Sequence, residues 1–530
     1  MVGMANLAIY DILVIAVFLV VVLVVGFRFG RGDRDAGDYF LAGRALPWYL
    51  IGFSFYASNM SGASFVGLIG ASYDHGVVVF NYEWTAAAVL IVFALFMLPV
   101  FLREKLYTVP EYLERRFDRR SRRLYSAFSL ATLLFIDMAG ALYAGSVVVG
   151  VAFPGVDLWT ITALLAFLAG GYAIVGGLRA VVVTDALQSV LMIVGAGAIV
   201  AVGLPKVGGL AQLLTDVGPT RAQLFRPVDD GFLPWPGIAG VMLLGFYYWT
   251  LNQYFVQRAL AARSLDQGRK GALFGGLLKL PNFFLMIVPG LIALRLFPEL
   301  ESPDQAFPRL VFELLPVGLK GLVLTALIAA VMSSLDSAFN AASSLITMDF
   351  VKPARPDLSD RLLLRIGRLV TAIMMILAAG YAPLIESFGS LFQYFQSTLA
   401  YLVPPVVAVY FGGLFVPRMT ARGAFAGLGA GLAVGLILFL AVEVTGAWAS
   451  AGFAEIHFTY VALIMFTLSA GLMALVSLTD RTGADSAAGA SVAARWQPAD
   501  LRHRGPVWSD VRLLSVLLAA VLVAGLWLLA

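Results

Sequence analysis

The sequence predicts an all-α protein built into a membrane, and three observations carry that prediction. Hydrophobic residues fill 60% of its 530 positions and charged residues 13%, against about 45–50% and about 25% in soluble domains. Fourteen apolar runs follow one another along the chain, each near the roughly 20 residues that cross a bilayer core, and mean hydropathy is +0.89. Two of the runs are interrupted at mid-length by small and polar residues. The ten-residue alternation of a membrane barrel is absent.

In order, the runs are 7–27, 47–71, 77–101, 124–151, 158–175, 181–203, 237–257, 271–294, 319–347, 364–381, 386–415, 424–446, 457–478 and 511–529. The first reads as a span, not a signal peptide, because no Lys or Arg precedes Arg28 and the run exceeds an h-region. It forms, with the loop after it, an N-terminal unit (1–46). Five spans follow (47–203), then a loop (204–236), five more spans (237–415), and three C-terminal spans (416–530). A polar Ala/Ser/Arg-rich segment, 479–510, reads as a flexible cytoplasmic linker. No soluble output domain is expected after the last span.

Charge gives the orientation. Of 36 Lys and Arg, 29 fall in one alternating set of loops and 6 in the other, with Lys279 inside a span. The positive-inside rule then places both termini outside, and it accounts for the net charge of +4 without nucleic acid. Zero cysteines exclude disulfides and thiolate sites. Three scattered histidines, His75, His457 and His503, argue against a histidine metal centre. No G-x-x-x-x-G-K-[ST], H-E-x-x-H or G-x-S-x-G occurs, which speaks against an ATP-driven pump and against a membrane enzyme. No organic cofactor is expected.

The two interruptions are the first functional signal. Run 47–71 carries Phe55-Tyr56-Ala57-Ser58-Asn59-Met60-Ser61-Gly62-Ala63-Ser64 at its middle. Run 237–257 carries Gly240 and Gly245, then Tyr247-Tyr248-Trp249-Thr250 and Asn252-Gln253. Backbone freed inside a membrane is tolerated where it lines a cavity, and transporters place midplane sites there. Each interruption opens a set of five spans, the pattern of an inverted repeat; close helix packing by small residues is the other reading of either one.

The ionisable groups most nearly central in the spans are the second signal: Glu83, Asp137, Asp185, Lys279, Asp336, Glu386 and Glu443. Each is either functional or a helix-end charge that snorkels; Glu386 and Glu443, near span ends, suit the latter. In 319–347, Ala330, Ser333, Asp336 and Ser337 share a helix face, with Ser334 adjoining it. Hydroxyl and carbonyl oxygens suit a hard cation such as Na⁺, while serines bonded to their own i−4 carbonyls are the alternative.

Taken together these residues resemble the solute:sodium symporter family, its sodium/sugar cotransporter branch in particular. The resemblance is carried by Ala57-Ser58-Asn59-Met60-Ser61, Asn81-Tyr82-Glu83-Trp84, Tyr107-Thr108-Val109-Pro110-Glu111-Tyr112, and Gly176-Gly177-Leu178 followed by Thr184-Asp185-Ala186-Leu187-Gln188. Further on come Tyr248-Trp249, Asn252-Gln253-Tyr254, Gln257-Arg258, Lys279-Leu280, Ser333-Ser334-Leu335, Thr347-Met348-Asp349 and Leu391-Phe392-Gln393-Tyr394-Phe395-Gln396. It implies a LeuT-type fold with about fourteen transmembrane helices, its core the two sets of five.

The resemblance also implies a sodium site of the Ala57, Met60 and Ala330 carbonyls with the Ser333 and Ser334 hydroxyls. Substrate contacts would fall on Asn59, Glu83, Lys279 and Gln396, flanked by Tyr82 and Phe392, with Tyr248 as inner gate and Trp249 beside it. Ser64, the ninth substrate residue the resemblance implies, stands with Ala86 and Gly245 where relatives can carry larger or more polar residues. A second sodium site would use Asp185, Asp336 and Ser337. Position 336 being Asp leaves a stronger site, an altered one and a protonated one as alternatives. Asp137 stands where sialic-acid relatives grip a carboxylate with arginine, and it would repel an acid.

The expected function is sodium-coupled import of a neutral hexose such as glucose or galactose by alternating access. Symport of myo-inositol or another small solute such as sialic acid, and a non-transporting sugar sensor, are the alternatives. The expected partners are a neutral sugar or cyclitol, sodium and the lipid bilayer, and the expected location is a bacterial inner membrane. The sequence leaves the oligomeric state open.

Overall fold

The computed structural model describes residues 7–30, 35–153, 155–387, 391–450, 456–480, 494–502 and 506–529. Their helices, in order, are α1 (Ile9–Gly30), α2 (Trp48–Asn59), α3 (Ser64–Arg103), α4 (Arg119–Ala152) and α5 (Leu158–Lys206), which kinks at Gly177. Then come α6 (Ile238–Thr250), α7 (Gln253–Leu260), α8 (Leu265–Leu296), α9 (Leu319–Ala354) and α10 (Asp360–Ile385). The last five are α11 (Leu391–Leu402), α12 (Pro404–Phe415), α13 (Ala421–Val444), α14 (Phe458–Thr479) and α15 (Val511–Leu529). No β-strand occurs among the described residues. The chain is a multi-pass membrane protein.

Ten of these helices are long and apolar enough to cross a bilayer, eleven if the bent pair at α11 and α12 is one span. That is a count of helices by length and apolarity, not of crossings, so it differs from the fourteen apolar runs of the sequence. The half-helices α2 and α6 have 12 and 13 residues, too few to span alone. Two predicted runs merge within α5 across its kink.

Burial sorts the helices by position. In α9, 89% of the most apolar window is buried inside the protein; in α1 only 11% is. A helix apolar all round belongs at the centre when its neighbours bury it and against lipid when they do not. So α9 is the axis of the fold, with α5 packed along it and α1 behind both, while α8 packs on α2.

Both predicted interruptions are breaks. Helix α2 ends at Asn59, and Met60 leaves helical geometry at φ −78, ψ 73. Ser61 N–H turns back to the Asn59 carbonyl at 2.9 Å, and the Ser64 hydroxyl donates to the same carbonyl at 2.9 Å. The small polar residues therefore satisfy freed backbone groups, as an interruption at membrane depth requires. Between α6 and α7, Asn252 sits at φ −66, ψ 124 and its side chain caps Tyr254 N–H. The Tyr125 hydroxyl takes the Leu251 carbonyl at 2.7 Å.

Part of the segment read as a flexible linker is packed in place. Within 494–502, Trp496 Nε1 donates to the Leu95 carbonyl at 3.3 Å, Asp500 pairs with Arg103, and Arg269 donates to the Asp500 carbonyl at 2.6 Å. Average composition misses this, because a single tryptophan and aspartate supply the anchors.

Candidate substrate and sodium sites

The break after α2 opens onto a cavity of about 150 Å³. Asn59, Ser64, Tyr82, Glu83, Tyr248, Trp249 and Gln396 line it, seven of the nine residues assigned to substrate from the sequence. Lys279 stands directly behind, its Nζ in contact with Glu83 Oε2 and Asn59 Oδ1. Phe392 lies on α11, but its side chain is outside the described residues.

The polar floor of this cavity is a charge pair with its own supports. Glu83 and Lys279 are 5% and 1% exposed, where an unpaired charge would cost several kcal/mol, roughly 3–5 for breaking such a pair. Asn282 Nδ2 donates to Glu83 Oε2 at 2.5 Å, and the Tyr56 hydroxyl donates to Asn282 Oδ1 at 3.0 Å. Lys279 also lies 5.7 Å from the Trp249 ring centroid, on the edge of cation–π range. Asn282 and Tyr56 escaped the sequence reading. Asn282 could have been found, since position i+3 from Lys279 puts it on the same helix face.

Gln396 also lines a second cavity, of about 700 Å³, bounded by Asp74, His75, Phe232, Asp304 and His457. On the opposite side the Tyr248 and Tyr254 hydroxyls bond at 2.9 Å, and Tyr254 donates to the Ser58 carbonyl at 3.1 Å. The substrate cavity is thus closed toward α7 and adjoins open space toward loop 204–236. His457 Nε2 lies 2.8 Å from the Phe232 carbonyl, and its Nδ1 accepts from Thr459 N–H at 3.4 Å.

The proposed sodium oxygens converge. With Ser61 N–H turned to Asn59, the Ala57 carbonyl has no helical donor. It accepts from the Ser333 hydroxyl at 2.9 Å, and the same hydroxyl lies 3.0 Å from the Ala330 carbonyl. Ser334 Oγ donates to the Ser58 carbonyl at 3.2 Å. Met60 stands on the irregular turn itself, outside helical geometry. These are hard, neutral oxygens in a dry site, the donor type that suits a monovalent cation without demanding a counter-charge.

One turn further along α9 lies the second cluster. Asp185 and Ser337 meet through a shared partner, and Ser337 Oγ donates to Asp336 Oδ1 at 3.1 Å. Between them sits Arg258, which the sequence reading left out of the site. Its Nε donates to Ser54 Oγ at 2.5 Å, its Nη2 lies 3.4 Å from Asp185 Oδ2, and it contacts Ser337. A second sodium would share this cluster with a fixed guanidinium. Asp185 Oδ1 is buried without a hydrogen-bond partner, so a ligand position on it stays open.

Asp137 is not among the residues lining the substrate cavity. It is half-buried on the π-turn Leu133–Met138 of α4 and accepts from Asn252 Nδ2 at 3.4 Å, beside the second break. Glu443 is exposed near the end of α13, as a snorkelling residue would be. The side chain of Glu386 is outside the described residues.

Residues 39–431 match the sodium:solute symporter family model. Sodium/glucose cotransporter 4 of Danio rerio is 35% identical, over 88% of this chain and 78% of that protein. The sodium/glucose cotransporter of Vibrio parahaemolyticus is 32% identical, over 82% of this chain and 86% of that one. Among solved structures, a sodium-coupled sialic acid symporter in a substrate-bound outward-open state superposes with a TM-score of 0.78. It shares 23% identity and covers 89% of this chain and 98% of its own, a likeness of fold.

Proposed function

Because this chain belongs to the sodium:solute symporter family, we propose that it imports a neutral sugar, a glucose- or galactose-like hexose, with sodium. It is a sodium-coupled transporter of LeuT-type fold and no enzyme. The observation that carries the sugar is the paired floor of the cavity. Lys279 donates, Glu83 accepts, and Asn59 and Gln396 do both, so a neutral polyol can exchange water for protein at each hydroxyl. A carboxylate would have to win Lys279 away from Glu83, and that pairing speaks against sialic acid. A cyclitol such as myo-inositol presents the same hydroxyls and is the second reading.

Sodium sits at Ala57, Met60, Ala330, Ser333 and Ser334 in this reading, joining the break in α2 to α9. The cluster of Asp185, Asp336 and Ser337 around Arg258 is a second cation position. The five-helix repeats are 47–203 and 237–415. The 29-to-6 split of basic residues supports termini on the outer side of a bacterial inner membrane.

One sodium suffices energetically. Moving one charge down 100 mV supplies about 2.3 kcal/mol, and a tenfold gradient about 1.4 kcal/mol more. Their sum sustains roughly 500-fold accumulation.

Uptake of radiolabelled glucose and galactose into proteoliposomes tests the reading, with an inward Na⁺ gradient set against an equal K⁺ gradient. Sodium-dependent uptake of one hexose is expected; none of either would sink the hexose assignment. In the same assay Asn282→Ala removes a donor to Glu83, a bond to a charged group worth about 1.5–3 kcal/mol. Sugar half-saturation should rise about tenfold or more, with sodium half-saturation within about twofold. An unchanged sugar constant would place Asn282 outside the site.

A further inference from the structure

The helix that carries Ser333 and Ser334 begins without a cap of its own. Its N-cap is Gly318, at φ +87 and ψ −46, with no side chain to accept the free N–H groups of the first turn. The acceptor comes from 307 residues away in the chain. Asp11 Oδ1 accepts from Gly318 N–H at 2.7 Å and from Gly321 N–H at 2.8 Å, while Oδ2 accepts from Ala8 N–H at 3.0 Å. Asp11 is fully buried. A carboxylate at the start of this helix also meets the positive end of its dipole.

Gly321 is part of the same device. A Cβ there would lie 2.4 Å from Asp11 Cα, so only glycine lets α1 approach this closely. At the far end of α1, a Cβ on Gly30 would lie 2.2 Å from Gly176 Cα, which pins α1 to α5 as well. Helix α1 buries little of itself elsewhere, with 11% of its apolar window covered. Both ends are held by these close approaches, and between them Val22 is fully buried with Ile15, Phe18 and Leu19 against the core.

We propose that Asp11 is a positioning residue for sodium: it fixes the start of α9 so that the Ser333 and Ser334 hydroxyls stay in register with the α2 break. A built site tolerates displacements of about 0.5 Å, a third of the 1.5 Å rise of one helical residue. Alternating access moves one body against the other around a fixed site, so the ligand helix must keep its place while α2 is released. The extra N-terminal span is therefore a strut for the ion site. This inference rests on the sodium reading of Ala57, Ser333 and Ser334.

The test compares wild type, Asp11→Asn, Asp11→Ala and Gly321→Ala in proteoliposomes at matched protein density. Sodium half-saturation is read both from uptake and from the sodium-dependent rise in melting temperature of the purified protein. Asp11→Ala should raise sodium half-saturation at least about tenfold while sugar half-saturation at saturating sodium stays within about twofold. Asp11→Asn, which keeps an Oδ1 acceptor for Gly318 and Gly321 but loses the charge and the bond from Ala8 N–H, and Gly321→Ala should shift it in the same direction by smaller factors. Unchanged sodium half-saturation in Asp11→Ala overturns the proposal, as does an equal loss of sodium and sugar affinity. Should the Asp11 variants fail to accumulate, Gly321→Ala decides, and a wild-type sodium constant there overturns it. A wild type indifferent to sodium in both assays would instead remove the sodium reading beneath it.

Discussion

Replacing Lys279 with alanine should cut sodium-driven uptake by at least about a hundredfold. The substitution leaves the buried Glu83 carboxylate with no cation beside it, although Asn282 still donates to it. Breaking one half of a buried pair costs about 3–5 kcal/mol, and each 1.4 kcal/mol is about tenfold in binding. Initial rates of labelled sugar uptake, normalised to protein in the bilayer, measure the loss. The double variant Lys279→Met with Glu83→Gln removes both charges and should recover protein amount without recovering transport. Uptake by Lys279→Ala within about threefold of wild type would take the pair out of the substrate site.

Ser333→Ala should act on the ion and spare the sugar. The Ser333 hydroxyl links the Ala57 and Ala330 carbonyls, and removing it costs the ion a ligand and leaves Ala57 without a donor. An unsatisfied buried carbonyl costs about 1–3 kcal/mol, so sodium half-saturation should rise about ten- to a hundredfold. Sugar half-saturation, measured once sodium is raised to saturation, should return to within about threefold. Adding Ser334→Ala should push the sodium constant further, because Ser334 holds the neighbouring Ser58 carbonyl. A sodium constant unmoved in both variants would place the ion elsewhere, with the Arg258 cluster the next position to examine.

The two kinds of site residue were unequally visible. Ser333 could be read because helical spacing puts it on one face with Ala330, with Ser334 adjoining, and Glu83 and Lys279 because a charge in an apolar run is costly and is a functional candidate. Asn282 carries no charge and sits beside a proline, so only its i+3 spacing from Lys279 points to it, and its bond to Glu83 spans 199 residues. Arg258 reads as one more basic residue near a loop, yet it is fully buried and meets Asp185. Asp11, close to the start of an apolar run, looks like an interfacial charge. Its buried role appears only when α9 is seen to start at its carboxylate.

Fold class was legible for a related reason. A bilayer imposes length and apolarity on each span and puts a high cost on freed backbone, so spans and breaks are written locally, residue by residue. The sequence by itself determined that this is an all-α membrane protein, where its two helices break, and which side chains bring charge or hydroxyls to membrane depth. Only the tertiary structure decided the pairings: Lys279 with Glu83, Arg258 between Asp185 and Ser337, Asp11 at the start of the helix that carries Ser333 and Ser334. Those energies vary with separations of an ångström or less in a dry interior, and distance along the chain carries no information about them.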